Sequence, residues 1–131
     1  AGDVANFYNP LLQQRLRVEH DDNTSAMGKV AGKNIAGQHA QYDYLPMFYA
    51  DLFDLGYEAI GETSANLETV SHWEEFGRKG IVFYLSGTSQ VRGLVFWNVW
   101  DMVDEGRKLM AETGPHTERT LTEWYREHVN A

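Results

Sequence analysis

The sequence predicts an α+β fold in which an antiparallel β-sheet is covered on one face by helices. Runs rich in β-branched and aromatic residues fill the middle of the chain, and the two clearest runs flank a short connector that contains glycine. Segments with helical periodicity lie before and after these runs. With 131 residues, 43% of them hydrophobic, the chain is long enough for one domain with a core of its own.

The first third of the chain predicts a helix after an irregular stretch. Residues 1–14 show no periodicity and contain the turn signal Asn9-Pro10. After a short extended run through Val18, we expect a helix that ends near Gly37. Three residues are placed to cap it, namely Asp22, Asn23 or Thr24. Its apolar positions recur at helical spacing: Met27, Val30, Ala31 and Ile35.

Five strands are predicted in the centre of the sequence, and the last two form a hairpin. The strands cover residues 48–53, 55–62, 68–73, 80–85 and 91–100. The hairpin connector is Ser86-Gly87-Thr88-Ser89, which has a typical hairpin length.

Two helices are expected after the sheet. Asn98 or Asp101 can cap the first of them, whose apolar face is Met102, Val103, Gly106, Leu109 and Met110. The second begins between Thr117 and Thr120, and Thr120 and Glu123 have the spacing of a capping box. Its apolar side is Leu121, Trp124, Tyr125 and His128.

Charge and composition argue against several classes of function. Nineteen acidic and eleven basic residues give a net charge of -8, which repels phosphate backbones, so we expect no nucleic-acid binding. No run approaches the roughly 20 apolar residues that a membrane span needs. Without cysteine, the chain has no disulfide and no thiol chemistry. The first residues, "AGDVANFY", resemble neither a signal peptide nor a transit peptide, and suggest an excised piece of a longer chain.

No autonomous catalytic motif stands out, since phosphate-binding glycine motifs and a nucleophile elbow are both missing. We expect no metal site, because the consecutive residues His20, Asp21 and Asp22 cannot easily converge on one ion. A small hydrolase that uses Glu58 or Asp51 with a histidine has no spacing to support it. The remaining histidines are expected at the surface or in packing: His39, His72, His116 and His128.

Three features allow more than one interpretation. Gly28 and Gly32 indicate either a close approach by another backbone or a flat ligand, or only a softer helix. Aromatic residues crowd into residues 42–57, where most fill the core but one can remain exposed as a stacking platform. Glu58 stands between apolar neighbours in "GYEAIG", and strand alternation would point it to solvent.

Several blocks of the sequence, in order, resemble the C-terminal part of the apoptosis-inducing factor family. The blocks are "AGD", "RVEH", "GKNIAG", "MFYADL", "GYEAIG", "KGIVFYL" and "GLVFWNVW". Proteins of this family are FAD-dependent, NADH-oxidising members of the glutathione-reductase-like superfamily. The resemblance covers nearly the whole chain, from Gly2 through the helix after Trp100.

The resemblance implies a domain organisation. Family members have an FAD domain, an NADH domain and a C-terminal α+β domain, so residues 1–18 would close an FAD-binding domain and residues 19–131 would form the C-terminal domain. FAD and NAD(H) are then cofactors of the parent protein, and its FAD and NADH domains are partners of this chain. We expect the fragment alone to hold neither cofactor and to be inactive, because the phosphate-binding glycines are missing. The implied location is the mitochondrial intermembrane space, although this chain contains no targeting segment.

The resemblance also implies five cofactor-binding residues and no catalytic or metal-binding residue. Asp3 would contact the ribityl chain of the flavin, and Glu19 and His20 would lie beside the isoalloxazine. Tyr49 stands where many relatives place a tryptophan against flavin and nicotinamide, and Glu58 matches a glutamate that contacts the nicotinamide nucleotide. A helix that begins after the Glu-His pair would favour the negative charge of reduced flavin.

The sequence departs from the family pattern at three places, and a rival interpretation remains open. Tyr49 offers less stacking area than tryptophan, residues 21–23 are Asp-Asp-Asn where relatives carry further histidines, and residues 62–78 are short where the vertebrate protein has a long insertion. The rival interpretation is a non-enzymatic interaction module that binds a protein, or a second copy in a homodimer, through a sheet edge or the aromatic-rich segment.

Overall fold

The computed structural model describes residues 1–129, and the chain divides into two compact units, Ala1–Phe48 and Tyr49–Ala131. In the first unit, β1 (Phe7–Asn9) pairs antiparallel with β2 (Gln14–Leu16). The prediction that residues 1–14 are irregular is therefore wrong for β1. Strands of three residues are too short to show alternation in a sequence. The turn is held by the buried Asn9, whose Oδ1 accepts from the Leu12 amide at 3.0 Å.

Helix α1 covers Asp21–Ile35, with His20 in an extended conformation at the N-cap position. The three predicted capping residues are wrong, because they lie inside the helix and their side chains bind elsewhere in the first unit. Those side chains belong to Asp22, Asn23 and Thr24. The helix ends near Gly37 as predicted, and the φ of +93° at this glycine is incompatible with a continued helix. No atom of the described chain approaches a Cβ built at Gly28 or Gly32.

The predicted strands are confirmed, and the described residues form a five-stranded sheet in the order β3-β4-β7-β6-β5. Neighbouring strands pair antiparallel from β4 through β7 and β6 to β5. The strands are β3 (Met47–Leu52), β4 (Leu55–Gly61), β5 (Glu68–Glu75), β6 (Lys79–Leu85) and β7 (Val91–Trp97). β7 ends three residues earlier than predicted, because Asn98 adopts a left-handed φ of +48° that is incompatible with a strand.

One face of the sheet forms the core under helices α2 (Val103–Ala111) and α3 (Glu118–His128). The fully buried side chains on this face are Ile60, Ile81, Phe83, Leu94 and Phe96. Gly106 of α2 lies so close that a Cβ there would stand 2.7 Å from the Phe96 ring. Trp124 of α3 contacts Phe83 edge to face at 5.9 Å. The predicted α+β class, with helices on one face of an antiparallel sheet, is confirmed.

Both C-terminal helices are capped differently from the prediction. Met102 stands at the N-cap of α2 and makes no side-chain cap, so the assignment of Asn98 or Asp101 is wrong. In α3 the capping box is formed by Thr117 and Thr120, one turn before the predicted pair. None of the helices in the described residues is long and apolar enough to cross a bilayer.

Asn98 joins three segments at one end of the sheet. Its side-chain oxygen accepts from the Gly56 amide at 2.7 Å, and its side-chain nitrogen donates to the carbonyls of Arg78 and Asp54 at 2.8 and 3.3 Å. An ion pair of 2.6 Å between Arg78 and Asp54 links the same two turns. The β3–β4 turn, the β5–β6 turn and the end of β7 are therefore held as one rigid structure.

We expect Asn98→Ala to lower the free energy of unfolding by about 2 kcal/mol, because three hydrogen bonds are lost at once. Asn98→Asp tests the side-chain nitrogen separately: it keeps the oxygen that accepts from the Gly56 amide but puts an anionic oxygen opposite the carbonyls of Arg78 and Asp54, so it should lose at least as much stability as Asn98→Ala. Urea unfolding followed by circular dichroism measures both variants. A stability close to that of the natural chain in Asn98→Asp would contradict the role assigned to the side-chain nitrogen.

Phe53 in the β3–β4 turn combines two unfavourable properties. Its φ is +58°, a left-handed value that is an outlier for a bulky side chain, and its side chain is 99% exposed. We expect Phe53→Asn to raise the free energy of unfolding by about 0.5–1 kcal/mol, because asparagine tolerates this conformation. Phe76→Asn is the control, since Phe76 is also exposed but has no positive φ, and its stability should not change. A loss of stability in Phe53→Asn would contradict the assigned strain.

Candidate functional site

Asp3, Glu19 and His20 lie in the first unit, at the N-terminal end of α1. The Thr24 hydroxyl donates to Asp3 Oδ1 at 2.7 Å, and the Thr24 amide donates to the His20 carbonyl at 3.0 Å. Asp3 and Glu19 are exposed, whereas His20 is half-buried. The structure therefore brings Asp3 and His20 to the same helix end, and it fixes one Asp3 oxygen while the residue stays open to solvent.

The helix end next to His20 is built to connect with the start of β3. Asp22, in the first turn of α1, accepts from the Met47 amide at 2.9 Å and from the Tyr44 hydroxyl at 3.1 Å. The His20 ring lies 6.3 Å from the Phe48 ring. Two carboxylates in the first turn, from Asp21 and Asp22, partly offset the positive end of the helix dipole. The hydrogen bonds from the Met47 amide and the Tyr44 hydroxyl in turn stabilise the negative charge of Asp22.

Tyr49 and Glu58 lie in the second unit, on the neighbouring strands β3 and β4. Tyr49 is 50% exposed, which leaves part of its ring accessible for stacking. It is not the most exposed aromatic residue of the predicted cluster, because Phe53 is almost fully exposed. The Tyr57 ring, by contrast, stacks on Trp97 at 5.7 Å with nearly parallel planes.

Glu58 points to the helix-covered face of the sheet, so the prediction that it points to solvent is wrong. It pairs across the ladder with the fully buried Phe96 and shares its face with Ile60, two residues on. Its Oε2 is buried and has no hydrogen-bond partner in the described part of the protein. Burial raises the pKa of Glu58 above the ordinary 4.5; a backbone hydrogen bond from Asp101 lowers that pKa, and the Asp101 charge raises it.

The other charged candidates from the sequence form no reactive cluster in the residues that the structure describes. Within residues 1–129, no group of three or more histidine, aspartate or glutamate side chains could hold a metal ion. The predicted packing role is confirmed for His72, whose ring lies 4.2 Å from Tyr125, and for His128, which stacks on Trp124 at 4.6 Å. The sequence did not predict the roles of Asn98 and Phe53 in the turns of the sheet, because positive φ values at non-glycine residues leave no periodic signal.

Comparison with known proteins links this fold to one family. Residues 31–77 match the family model described as "Apoptosis-inducing factor, mitochondrion-associated, C-term". Apoptosis-inducing factor 1, mitochondrial, of Dictyostelium discoideum is 37% identical over 121 residues, which cover 84% of this chain and 23% of the relative. The ferredoxin–NAD(+) reductase component of the anthranilate 1,2-dioxygenase system of Burkholderia cepacia is 27% identical over 85% of this chain and 27% of its own length.

A solved structure supports the same fold. A chain in the crystal structure of the covalent putidaredoxin reductase–putidaredoxin complex superimposes with a TM-score of 0.77 at 19% identity, over 92% of this chain and 28% of that chain. The present chain thus spans about a quarter of the length of these proteins. In sequence and in fold, it is similar to the C-terminal domain of reductases of the apoptosis-inducing factor type, as the sequence blocks indicated.

Proposed function

We propose that this chain is the C-terminal domain of an FAD-dependent NAD(P)H oxidoreductase and completes the flavin and nicotinamide site of the parent protein. The match to a relative that is 37% identical over 84% of this chain carries the proposal. Glu58 is the residue that the family pattern places against the nicotinamide nucleotide, and its half-buried carboxyl group can accept a hydrogen bond from an N–H donor such as the nicotinamide carboxamide. Relatives named as reductases support the same reading.

The remaining candidate residues fit a flavin by their chemistry. Asp3 is an exposed acceptor fixed through Thr24, which suits the hydroxyls of a ribityl chain. The first amides of α1, next to His20 and Glu19, are donors that point out of the helix end. Tyr49 offers an accessible ring for stacking. FAD, when bound, supplies the redox chemistry, and this chain contributes orientation and hydrogen bonds.

The proposal assigns residues 1–18 to the end of the FAD domain and residues 19–131 to the C-terminal domain. It places the phosphate-binding elements for FAD and NAD(H) in the rest of the parent protein, because this sequence has no glycine-rich phosphate loop. The isolated chain should then hold no cofactor. A location in the mitochondrial intermembrane space is part of the proposal. The relative named as mitochondrial supports the mitochondrion, and the intermembrane space is proposed in addition.

Rapid mixing of the intact parent protein with NADH tests the proposal. We expect His20→Ala and Tyr49→Ala to slow the bleaching of the flavin band at least tenfold, a loss of about 1.4 kcal/mol of transition-state stabilisation. The control is Ile35→Ser, a change at an exposed apolar residue at the far end of α1. Unchanged rates in both site variants would contradict the proposal. Tightly bound flavin together with NADH oxidation in the 131-residue chain alone would also contradict it.

Glu58 should also make stability depend on pH. Because its folded-state pKa is raised, its contribution to stability is complete below its ordinary pKa of 4.5 and is lost as pH rises through the folded-state value. We therefore expect Glu58→Gln to gain stability relative to the natural chain as pH rises from about 4 to 7. Urea midpoints at several pH values measure the difference, with Glu68→Gln, at an exposed position of β5, as control. A difference that is constant with pH contradicts the buried carboxylate.

A further inference from the structure

Exposed apolar side chains collect at the end of the sheet that Asn98 organises. We call this surface the turn patch and define it by Leu52, Phe53, Phe76 and Trp100. The two phenylalanines are 99% and 86% exposed, and Leu52 is 63% exposed. Leu52 and Phe53 belong to the β3–β4 turn region, Phe76 to the β5–β6 turn, and Trp100 follows β7, so all of them lie in the second unit. Contiguous exposed apolar side chains mark interaction sites on soluble proteins.

The two turns that carry the turn patch are joined to each other by specific bonds, unlike two independent flexible loops. The ion pair between Arg78 and Asp54 and the hydrogen bonds of Asn98 join the two turns that carry Phe53 and Phe76. Trp97 adds a bond from its indole N–H to the Gly77 carbonyl at 3.0 Å. The backbone segments that carry the two phenylalanines are therefore held before any partner arrives, which reduces the backbone entropy lost on binding.

The backbone strain at Phe53 indicates that its exposed side chain has a functional role. Both turns contain a residue with a positive φ, but the β5–β6 turn places Gly77 there, at +72°, and the β3–β4 turn places a phenylalanine. A bulky residue in this conformation lowers the free energy of unfolding by about 1–2 kcal/mol. The exposed Phe53 ring makes no packing contact within the described residues that would offset this loss. Strained, over-determined positions of this kind cluster at functional sites.

The charge around the turn patch selects the kind of partner. Both cations of the two turns are neutralised locally, since Arg78 pairs with Asp54 and Glu75, and Lys79 pairs with Glu74. Asp51 and Asp101 are both exposed and add two negative charges next to Trp100, so the rim of the patch is negative. A negative rim repels anionic lipid and also a second copy of this chain, whose net charge is -8.

We propose that the turn patch docks a protein partner with an apolar cleft rimmed by lysine or arginine, and that Phe53 and Phe76 enter this cleft. Aromatic anchors in a pocket with opposite charge at the rim are the usual source of affinity and association rate in protein interfaces. None of the four residues that define the turn patch is among the five proposed cofactor-binding residues. Failure of the docking proposal would leave the proposed oxidoreductase role intact, and the reverse also holds.

Accessibility in the intact parent protein is the first test, measured by hydroxyl-radical footprinting. We expect Phe53 and Phe76 to be oxidised at rates close to those in the isolated 131-residue chain. Strong protection of both residues in the intact protein would mean that another domain of the parent covers them, and it would overturn the proposal.

Selection from a displayed library of random peptides, with the intact protein as bait, tests the chemistry of the partner. We expect the enriched peptides to combine aromatic or aliphatic residues with lysine and arginine, and their affinity to fall at least tenfold in Phe53→Asn and Phe76→Asn. Because Phe53→Asn should be more stable than the natural chain, lost binding cannot be ascribed to unfolding. Ile35→Ser, an equally exposed apolar change on α1, should bind unchanged.

Three outcomes would overturn this proposal. One is the enrichment of acidic peptides, or binding that does not weaken between about 50 and 500 mM NaCl, where charge interactions are screened. Another is binding to phosphatidylcholine vesicles that depends on the two phenylalanines, which would indicate a membrane surface. The third is self-association in sedimentation that Phe53→Asn abolishes, which would indicate a second copy of the chain.

Discussion

The ladder between β4 and β7 sets the position of most other features of the second unit. Its register pairs Glu58 with Phe96 and Ile60 with Leu94, and side chains alternate strictly between the two faces. Once Ile60 and Phe96 are buried under α2, Glu58 must enter the same face. A shift by one residue would expose the core and release the carboxylate together. The half-buried position of the Glu58 carboxyl group is thus a consequence of the same register that forms the core.

The sequence predicts strands and helices, because their residue patterns are local and repeated. It does not predict structure that depends on a single contact between distant residues. The five strands and three helices follow from periodicity and residue type. Caps and turns do not, because a side chain such as Asp22 or Asn98 can bind any suitable group that the fold brings near. Asp22 is one of the three residues predicted as possible caps of α1, but it accepts from the Met47 amide, 25 residues away, and from the Tyr44 hydroxyl. These hydrogen bonds exist only in the folded chain.

The candidate site shows the same division. The resemblance to a family placed five residues in the site, and the structure puts three of them at one helix end and two on adjacent strands. Neither the half-buried state of Glu58 nor the raised pKa of its carboxyl group could be predicted from "GYEAIG", since alternation alone leaves the choice of face open. The Asp-Asp pair that replaces family histidines also gains a physical role, because Asp22 joins the helix end to the start of β3.

Residues 98–101 connect the turn patch with Glu58. Trp100 lies over Gly56, where a Cβ would stand 2.5 Å from its ring, and the backbone of Asp101 hydrogen-bonds the Glu58 carboxyl group. Asn98 and Asp101 both adopt left-handed φ values, which asparagine and aspartate tolerate, and the segment is held by specific bonds rather than by regular structure. A segment of this kind has few low-energy alternatives, and it stays in place while its hydrogen bonds persist. Trp100 therefore belongs to the exposed surface, whereas the next residue, Asp101, contributes to the environment of the half-buried Glu58 carboxyl group.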